Sequence, residues 1–413
     1  MKVVFVIEYF LPFSAGGAEW STFYIAKLLK KKNIEVVILT PNFGAPKEEI
    51  LDGIKVLRYP FYKKLTSTST FPGNFAFTNP LWIFWSTLFL FFKLRKENPD
   101  IIHVQGKYSL PPVILANIFL HKPVVATVRD YILVCNYGLC LFKNNKACNL
   151  KEYFFKDFRK YYQNYVENKK LTTLFLNLLY AVWGRFSRNF LKFFTNRVDL
   201  IVAISHKVSS ILNANGIIRP IKVIYNPYIV TKLSSKKKEN FILFVGRLTY
   251  GKGMPVLLEA FKKIRAKYPN TRLVIIGNGP LRQKVEEAAK LDKKISYLGH
   301  LKHFQVFTYY QKAKLVVVPS YWPDPLPRVG LEALSFTTPV VFTKNTGLAE
   351  IIRDGVFGYG SENDAKSLAA TIIKSLDRNS FLRKNIIQNY SELKNFNQKL
   401  ILEHLDVYRR LVR

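Results

Sequence analysis

The chain alternates short, continuous β-rich apolar runs with segments of helical periodicity, and it does so twice. Val3–Ile7, Val36–Leu39, Ile101–Val104, Val124–Thr127 and Leu200–Ile204 are four- and five-residue runs suited to burial on both faces. After the first of them, Ala18–Leu29 places apolar residues at helical spacing. A strand apolar on both faces needs a helix over each, so strand and helix in alternation predict a parallel sheet covered on both sides. The pattern restarts after a polar break, Ser234-Ser235-Lys236-Lys237-Lys238-Glu239-Asn240. Strands are expected at Phe241–Val245, Leu273–Ile276 and Leu315–Val318, and helices at Met254–Lys267 and Ala365–Leu376. At 413 residues the chain exceeds one ordinary domain. Two doubly wound Rossmann-like α/β domains joined near the break are expected. No short repeat is present, which excludes a solenoid.

A 49 % hydrophobic composition excludes extended disorder. The formal net charge of +35 favours polyanions, whether nucleic acid, anionic lipid or phosphate-bearing substrates, and names none of them. Cys135, Cys140 and Cys148 are sparse, odd in number and outside zinc-ligand spacing, so buried or unpaired thiols in a reducing compartment are expected. Glu8 cuts short the first apolar run, which rules out reading it as a signal peptide. The longest apolar window, Pro80 to Phe92, falls below the ~20 residues of a spanning helix. A cytoplasmic chain without a transmembrane anchor is expected. Two stretches exceed a minimal Rossmann half: Phe71–Lys96, and Lys151–Leu200 with ten Lys/Arg against four Asp/Glu among many aromatics. Such helices fit either a bilayer interface or the cover of a sheet with lysines and arginines at its rim.

Three segments carry candidate chemistry. Ser14-Ala15-Gly16-Gly17-Ala18-Glu19 lies between the first strand and first helix, where glycine backbone N–H groups and a helix N-terminus suit an anion or a plain tight turn. Gly246-Arg247-Leu248-Thr249-Tyr250-Gly251-Lys252-Gly253 again joins a strand to a helix. It lacks Walker spacing but sets a guanidinium and an ammonium at the carboxyl end of a strand, where open α/β sheets bind ligands. Fixed cations there stabilise a departing diphosphate. Pro319–Leu334 holds Asp324 and Glu332 across a predicted loop-to-helix junction. These two carboxylates either reach separate hydroxyls of one ligand or serve as a helix cap and a solvated side chain.

In order and spacing the three segments, with the Gly277-Asn278-Gly279-Pro280 turn and the acid-x7-Glu pattern, resemble glycosyltransferase family four, a large retaining GT-B family. It includes many lipopolysaccharide, capsule and phospholipid sugar transferases. The resemblance implies a GT-B fold with two domains facing a cleft. Residues 1–225 would bind the acceptor, with helix 397–413 packing back on them, and residues 226–396 would bind the nucleotide sugar. It implies that Arg247 and Lys252 hold the donor diphosphate without a metal or other cofactor, with Gly16 and Gly17 offering N–H groups. Glu332 would hold the ribose, Asp324 the transferred sugar, and Glu350 would shape the pocket. Asn278 and the stretch Tyr297-Leu298-Gly299-His300 would complete the nucleotide site.

Two departures stand out. The acidic segment begins with Asp324 where the family has Glu, and Arg129-Asp130 stands where members often carry His-Asp. Arg129 and Asp130 are therefore taken as catalytic candidates, with His103 a weaker one. The expected partners are a UDP- or GDP-linked sugar, a lipid-linked or glycan acceptor, and an anionic membrane surface at the inner face. Rival readings are another GT-B enzyme, such as a nucleotide-sugar epimerase, and a non-catalytic basic nucleic-acid binder. No RRM, KH or helix-turn-helix signature supports the second, and no nucleic-acid partner is expected.

Overall fold

The structure, a computed structural model, describes residues 1–14, 16–65, 71–135, 137, 145–166, 170–229 and 237–412. Cys140, Ala15 and residues 234–236 of the polar break lie outside them. The chain divides into two compact units, one of Met1–Phe158, Lys170–Pro227 and Asn397–Arg413, the other of Arg159–Lys169 and Tyr228–Phe396.

The first unit is built on β1 (Lys2–Val6), β2 (Glu35–Asn42), β3 (Glu48–Leu51), β4 (Ile54–Pro60), β5 (Ile101–Val104), β6 (Val124–Val128), β7 (Leu200–Ala203) and β8 (Ile221–Val223). They form one sheet in the order β3-β4-β2-β1-β5-β6-β7-β8. Every pairing is parallel except β3 with β4. That hairpin escaped the sequence reading, although its turn is Asp52-Gly53 with φ of 48° and 78°. Positive φ at both positions is what a two-residue hairpin turn demands. Strand order reverses between β1 and β5, so the chain segments that leave these two strands diverge and open a crevice.

The second unit carries β9 (Glu239–Val245), β10 (Arg272–Ile276), β11 (Ile295–Tyr297), β12 (Ala313–Val318), β13 (Val340–Thr343) and β14 (Gly358–Ser361). The order is β11-β10-β9-β12-β13-β14, all parallel, and here the reversal lies between β9 and β12. The helix after β9, Met254–Lys267, turns Leu257, Leu258, Phe261 and Ile264 into a core shared with Leu368 and Ile372 of Ala365–Asp377. Burying an aliphatic side chain of this kind contributes about 2 kcal/mol.

The aromatic stretch after residue 71 forms two helices, Asn74–Thr78 and Pro80–Glu97. Asn79 separates them: its side chain accepts from Trp82 N–H at 2.9 Å, and Pro80 occupies the first helical position. No helix among the described residues is long and apolar enough to cross a membrane.

The last helix, Tyr390–Val412, is tied to the first sheet by His103. This side chain is buried inside β5, not exposed at a site. Its Nδ1 lies 2.6 Å from Tyr408 Oη and its Nε2 lies 2.7 Å from Thr127 Oγ1. His404 lies nearby, its ring centroid 6.0 Å from that of His103 and its Nδ1 2.9 Å from Leu400 O. Burial lowers both imidazoles, His404 to about 4, so the folded state keeps them neutral. Unfolding returns each to an ordinary value near 6.5 and lets it take a proton. Stability is therefore lost as pH falls below 6.5. Thermal melts of the parent and of His404→Gln are expected to diverge on acidification. The parent should lose about 2 kcal/mol more than the variant between pH 7.5 and pH 5. Parallel pH profiles would remove His404 from this account.

Candidate functional site

In the second unit the turns that follow β9, β10 and β12 are stitched together at the reversal of strand order. Gly253 has φ of 75°, and a Cβ there would lie 1.7 Å from Pro319 O. Gly251 lies under the Trp322 ring, its carbonyl accepting from Tyr321 N–H at 2.9 Å. Gly277, with φ of 143°, closes on Gly246 O in the same way, and Leu248 N–H donates to Asn278 O at 2.9 Å. These glycines are required because backbone meets backbone.

That closure brings Lys252 onto Asp324. The Lys252 ammonium donates to Asp324 Oδ2, which also accepts from Ser320 Oγ at 3.0 Å. Gly347 N–H donates to the Asp324 carbonyl at 2.9 Å and binds the turn after β13 to the same place. Asp324 is no helix cap, since the following helix, Arg328–Ser335, starts after Pro327. Arg247 is exposed on the same turn as Lys252 and has no ion-pair partner among the described residues.

Glu332 is not solvated. It is 4 % exposed, and both oxygens are engaged. Oε1 lies 2.8 Å from His303 Nε2 and accepts from Arg328 Nε at 2.8 Å, while Oε2 accepts from Tyr310 Oη at 2.9 Å. Burial alone would raise this carboxyl. The His303 hydrogen bond, the Arg328 charge and the Tyr310 hydroxyl outweigh it and hold the group below the ordinary glutamate range. Asn278, Leu298 and Glu350 are exposed on three different turns. Leu298 follows β11, and the Tyr297 hydroxyl donates to Gly277 O at 3.1 Å, joining that turn to the one after β10.

In the first unit Gly16 caps the helix Gly17–Lys30, but its N–H donates to Glu19 Oε2 at 3.1 Å. The N–H expected to face an anion thus already has a carboxylate. Arg129 donates to the Gln105 carbonyl at 2.8 Å and to the Gln105 side chain. Asp130 accepts from the Lys107 ammonium and, through Oδ1, from Ile132 N–H at 3.0 Å. Glu8, two residues past β1, is buried.

The sequence reading missed Glu8, Lys107, His303, Tyr310 and Arg328. Arg328 precedes Glu332 by one helical turn, a pairing that spacing does signal. A carboxylate immediately after a buried strand is an equivalent signal for Glu8. Nothing local linked His303 or Tyr310 to Glu332. Cys135 is buried and Cys148 half-buried, and no cluster of metal-ligating side chains occurs among the described residues.

Comparison with known proteins identifies the family. The model described as Glycosyltransferase Family 4 matches residues 15–231, more than half of the chain, and that described as Glycosyl transferases group 1 matches residues 228–392. An uncharacterized glycosyltransferase of Methanocaldococcus jannaschii is 31 % identical over 228 residues, covering 54 % of this chain and 63 % of the relative. The chain spans about a third to just under two thirds of the length of three such archaeal relatives. A 2-deoxystreptamine N-acetyl-D-glucosaminyltransferase of Niallia circulans is 24 % identical over 82 % of this chain and 83 % of its own. The crystal structure of HepE from Anabaena, in complex with UDP and glucose, superposes with a TM-score of 0.64. It is 19 % identical and covers 98 % of this chain and 99 % of that one. With both family models in sequence along it and two parallel α/β units in the GT-B pattern, the chain belongs to glycosyltransferase family 4.

Proposed function

We propose that the chain transfers a sugar, with retention, from a nucleotide-diphosphate sugar to a lipid-linked or polysaccharide acceptor, in cell-envelope glycan synthesis. The second unit takes the donor and the first the acceptor. The observation that carries this reading is the Lys252–Asp324 pair beside unpaired Arg247 at the reversal between β9 and β12. As the anomeric C–O bond breaks, its electron pair goes to the diphosphate and the sugar carbon becomes positive. Arg247 and Lys252 offset the first charge and Asp324 the second, so one ion pair spans both ends of the breaking bond. Those two cations supply the charge that a metal ion would otherwise bring. Asn278, Leu298 and Glu350 complete the donor site, and Arg129 and Asp130 are the catalytic candidates of the first unit. The UDP and glucose of the Anabaena structure and the sugar named for the Niallia enzyme support a UDP-linked donor, with GDP the alternative. Retention is carried over from the family.

The acceptor reading rests on two helices of the first unit. On Pro80–Glu97, Leu81, Phe84, Trp85, Leu88 and Phe92 form an exposed stripe opposite the buried Ile83, Leu90 and Leu94. Leu171–Thr195 is inverted: it buries Ala181, Gly184 and Ser187 and exposes Phe175, Leu179, Val182 and Phe186. Both pack against the helix Leu110–Asn117, so the stripes share one side of the sheet. Arg95 and Lys122 edge a shallow groove of about 480 Å³ walled by Phe91 and Phe119. Large apolar side chains turned outward beside unpaired cations suit an anionic bilayer interface. We take the enzyme to work peripherally at the cytoplasmic face of such a membrane.

Melting the protein against UDP-, GDP-, ADP- and TDP-sugars is expected to single out one nucleotide by a rise in Tm, with transfer unchanged by EDTA. With that donor, Arg247→Ala should cost about 3 kcal/mol in kcat, as loss of one transition-state donor does. Asp324→Ala should depress kcat while the nucleoside diphosphate still binds. Near-parental kcat in both variants would move the site elsewhere.

Glu332→Ala is expected to behave differently, because it removes the buried acceptor shared by Arg328, His303 and Tyr310. A destabilisation of about 3–5 kcal/mol should appear in the melt before any kinetic effect is read. A variant as stable as the parent would show that the carboxylate is dispensable to packing.

Flotation with liposomes should recover the protein on anionic vesicles and progressively less as salt rises. Phe175→Ser with Phe186→Ser should lower recovery without shifting Tm. Equal recovery on neutral vesicles, or none on either, would reduce these helices to a sheet cover.

A further inference from the structure

Lys238, the residue before β9, carries its ammonium to the C-terminal ends of two helices at once. It donates to Tyr310 O at 3.2 Å, to Phe336 O at 3.3 Å and to Thr338 Oγ1 at 2.5 Å. Tyr310 lies in the last turn of the helix His303–Lys312, and Phe336 caps the helix Arg328–Ser335. Carbonyls at such places have no partner within their own helix, and a helix C-terminus attracts positive charge. Three ammonium protons thus meet three acceptors. The Thr338 hydroxyl, 2.6 Å from Tyr310 O, belongs to the same knot.

Both carbonyl bonds lead to Glu332. The Tyr310 hydroxyl donates to its Oε2 at 2.9 Å, and Phe336 N–H donates to its backbone carbonyl at 3.3 Å. Oε1 has two partners, His303 Nε2 and Arg328 Nε, whereas Oε2 has Tyr310 alone among the described residues. An ionised carboxyl offers about two acceptor sites per oxygen, so one site on Oε2 stays open to the hydroxyl of a ligand. Where that site points depends on how the Tyr310 side chain and the helix Arg328–Ser335 are held.

We propose that Lys238 is a positioning residue for the nucleotide-sugar donor: by tying the ends of both helices it holds Glu332 Oε2 in place to accept a ribose hydroxyl. This rests on the reading that the second unit takes the donor, and on the ribose role that the family resemblance implies for Glu332. Lys238 acts through Tyr310 on the Glu332 side chain and through Phe336 on its backbone. Its loss therefore loosens one contact to the donor and leaves Arg247 and Lys252 to the diphosphate as before. Burial, reinforced by the Arg383 charge, lowers Lys238 to about 7, so its three protons are all present on the acid side of neutrality.

The test is calorimetry on the full chain at pH 6 with UDP and 2′,3′-dideoxy-UDP, or with the matching GDP pair if the melts select that base. The parent is expected to bind the nucleotide with its ribose hydroxyls at least about 10-fold more tightly, as a hydrogen bond to a charged acceptor provides. Lys238→Met should cut that ratio to about threefold or less while leaving the dideoxy nucleotide nearly as well bound. Lys238→Arg, which keeps charge and donors, should recover part of it. Ile372→Val, in the core under the helix Ala365–Asp377, should lower Tm and keep the parental ratio, because lost stability alone does not tell the two nucleotides apart. Should Lys238→Met fail to fold, Lys238→Gln takes its place with the same direction expected. A parental ratio in the variant that folds, or as large a loss in Lys238→Arg as in Lys238→Met, overturns the proposal. A parent that binds both nucleotides equally removes the ribose role of Glu332, and the proposal with it. A parent that binds neither instead sinks the donor reading, as the melts would report independently. With the full donor, Lys238→Met should raise KM at near-parental kcat, the mark of a contact made in ground and transition state alike. A fall in kcat at unchanged KM would also overturn the proposal.

Discussion

The close approach of Gly253 to the Pro319 carbonyl is the constraint on which the second unit's site depends. Parallel strands β9 and β12 are neighbours, yet their following segments run apart at the reversal of order. A Cβ at 1.7 Å from a carbonyl oxygen is impossible, so any other residue at 253 would separate the two turns. The turns must meet for Lys252 to reach Asp324 across 72 residues of sequence. The glycines of Gly246–Gly253 therefore act first through backbone closure. What that closure leaves exposed is Arg247.

The two units solve the same problem differently. Each holds a carboxylate buried close to its strand reversal, at a cost that unpaired burial would make several kcal/mol. Around Glu332 that cost is offset by the Arg328 charge on its own helix and by His303 and Tyr310, whose bonds fix the helix Arg328–Ser335 against the helix His303–Lys312. Around Glu8 it is offset only in part: its Oε2 has no hydrogen-bond partner among the described residues. A satisfied group is rigid and insensitive to pH. A carboxylate with an oxygen left unpartnered is held less firmly.

Most of the fold was legible because burial on both faces leaves a signature in single runs. Val3–Ile7, Ile101–Val104 and Phe241–Val245 needed no partner to be recognised as strands. β14, Gly358-Tyr359-Gly360-Ser361, left no such trace, since two glycines and a serine carry no apolar run, and Gly358 is needed where a Cβ would strike Val340 O. The site was legible as residue types near strand ends and not as pairings. Lys252 with Asp324 and His303 with Glu332 are set by strand order, and local spacing holds no record of that. His103 looked like a candidate for chemistry because a strand-end histidine has no local mark to distinguish a clamp from a catalyst. Its partner, Tyr408, is 305 residues away.

The helices Pro80–Glu97 and Leu171–Thr195 show what structure adds to an ambiguous composition. Aromatics interleaved with lysine and arginine fit a sheet cover and a bilayer interface equally well in sequence, because both have apolar stripes at helical spacing. The difference lies in which stripe faces the sheet. A cover helix buries its large side chains and leaves the small and polar ones outside. Leu171–Thr195 does the reverse over much of its length, with Gly184 and Ser187 inward and Phe175, Leu179 and Phe186 outward. Small inward residues let the helix lie close, hydrogen bonds from Asn74 to Ser187 and from Trp183 to Thr78 hold it there, and its large buried side chains, Leu191 and Phe194, are confined to its C-terminal end. The apolar surface that remains outward is the surface the proposed bilayer contact would cover.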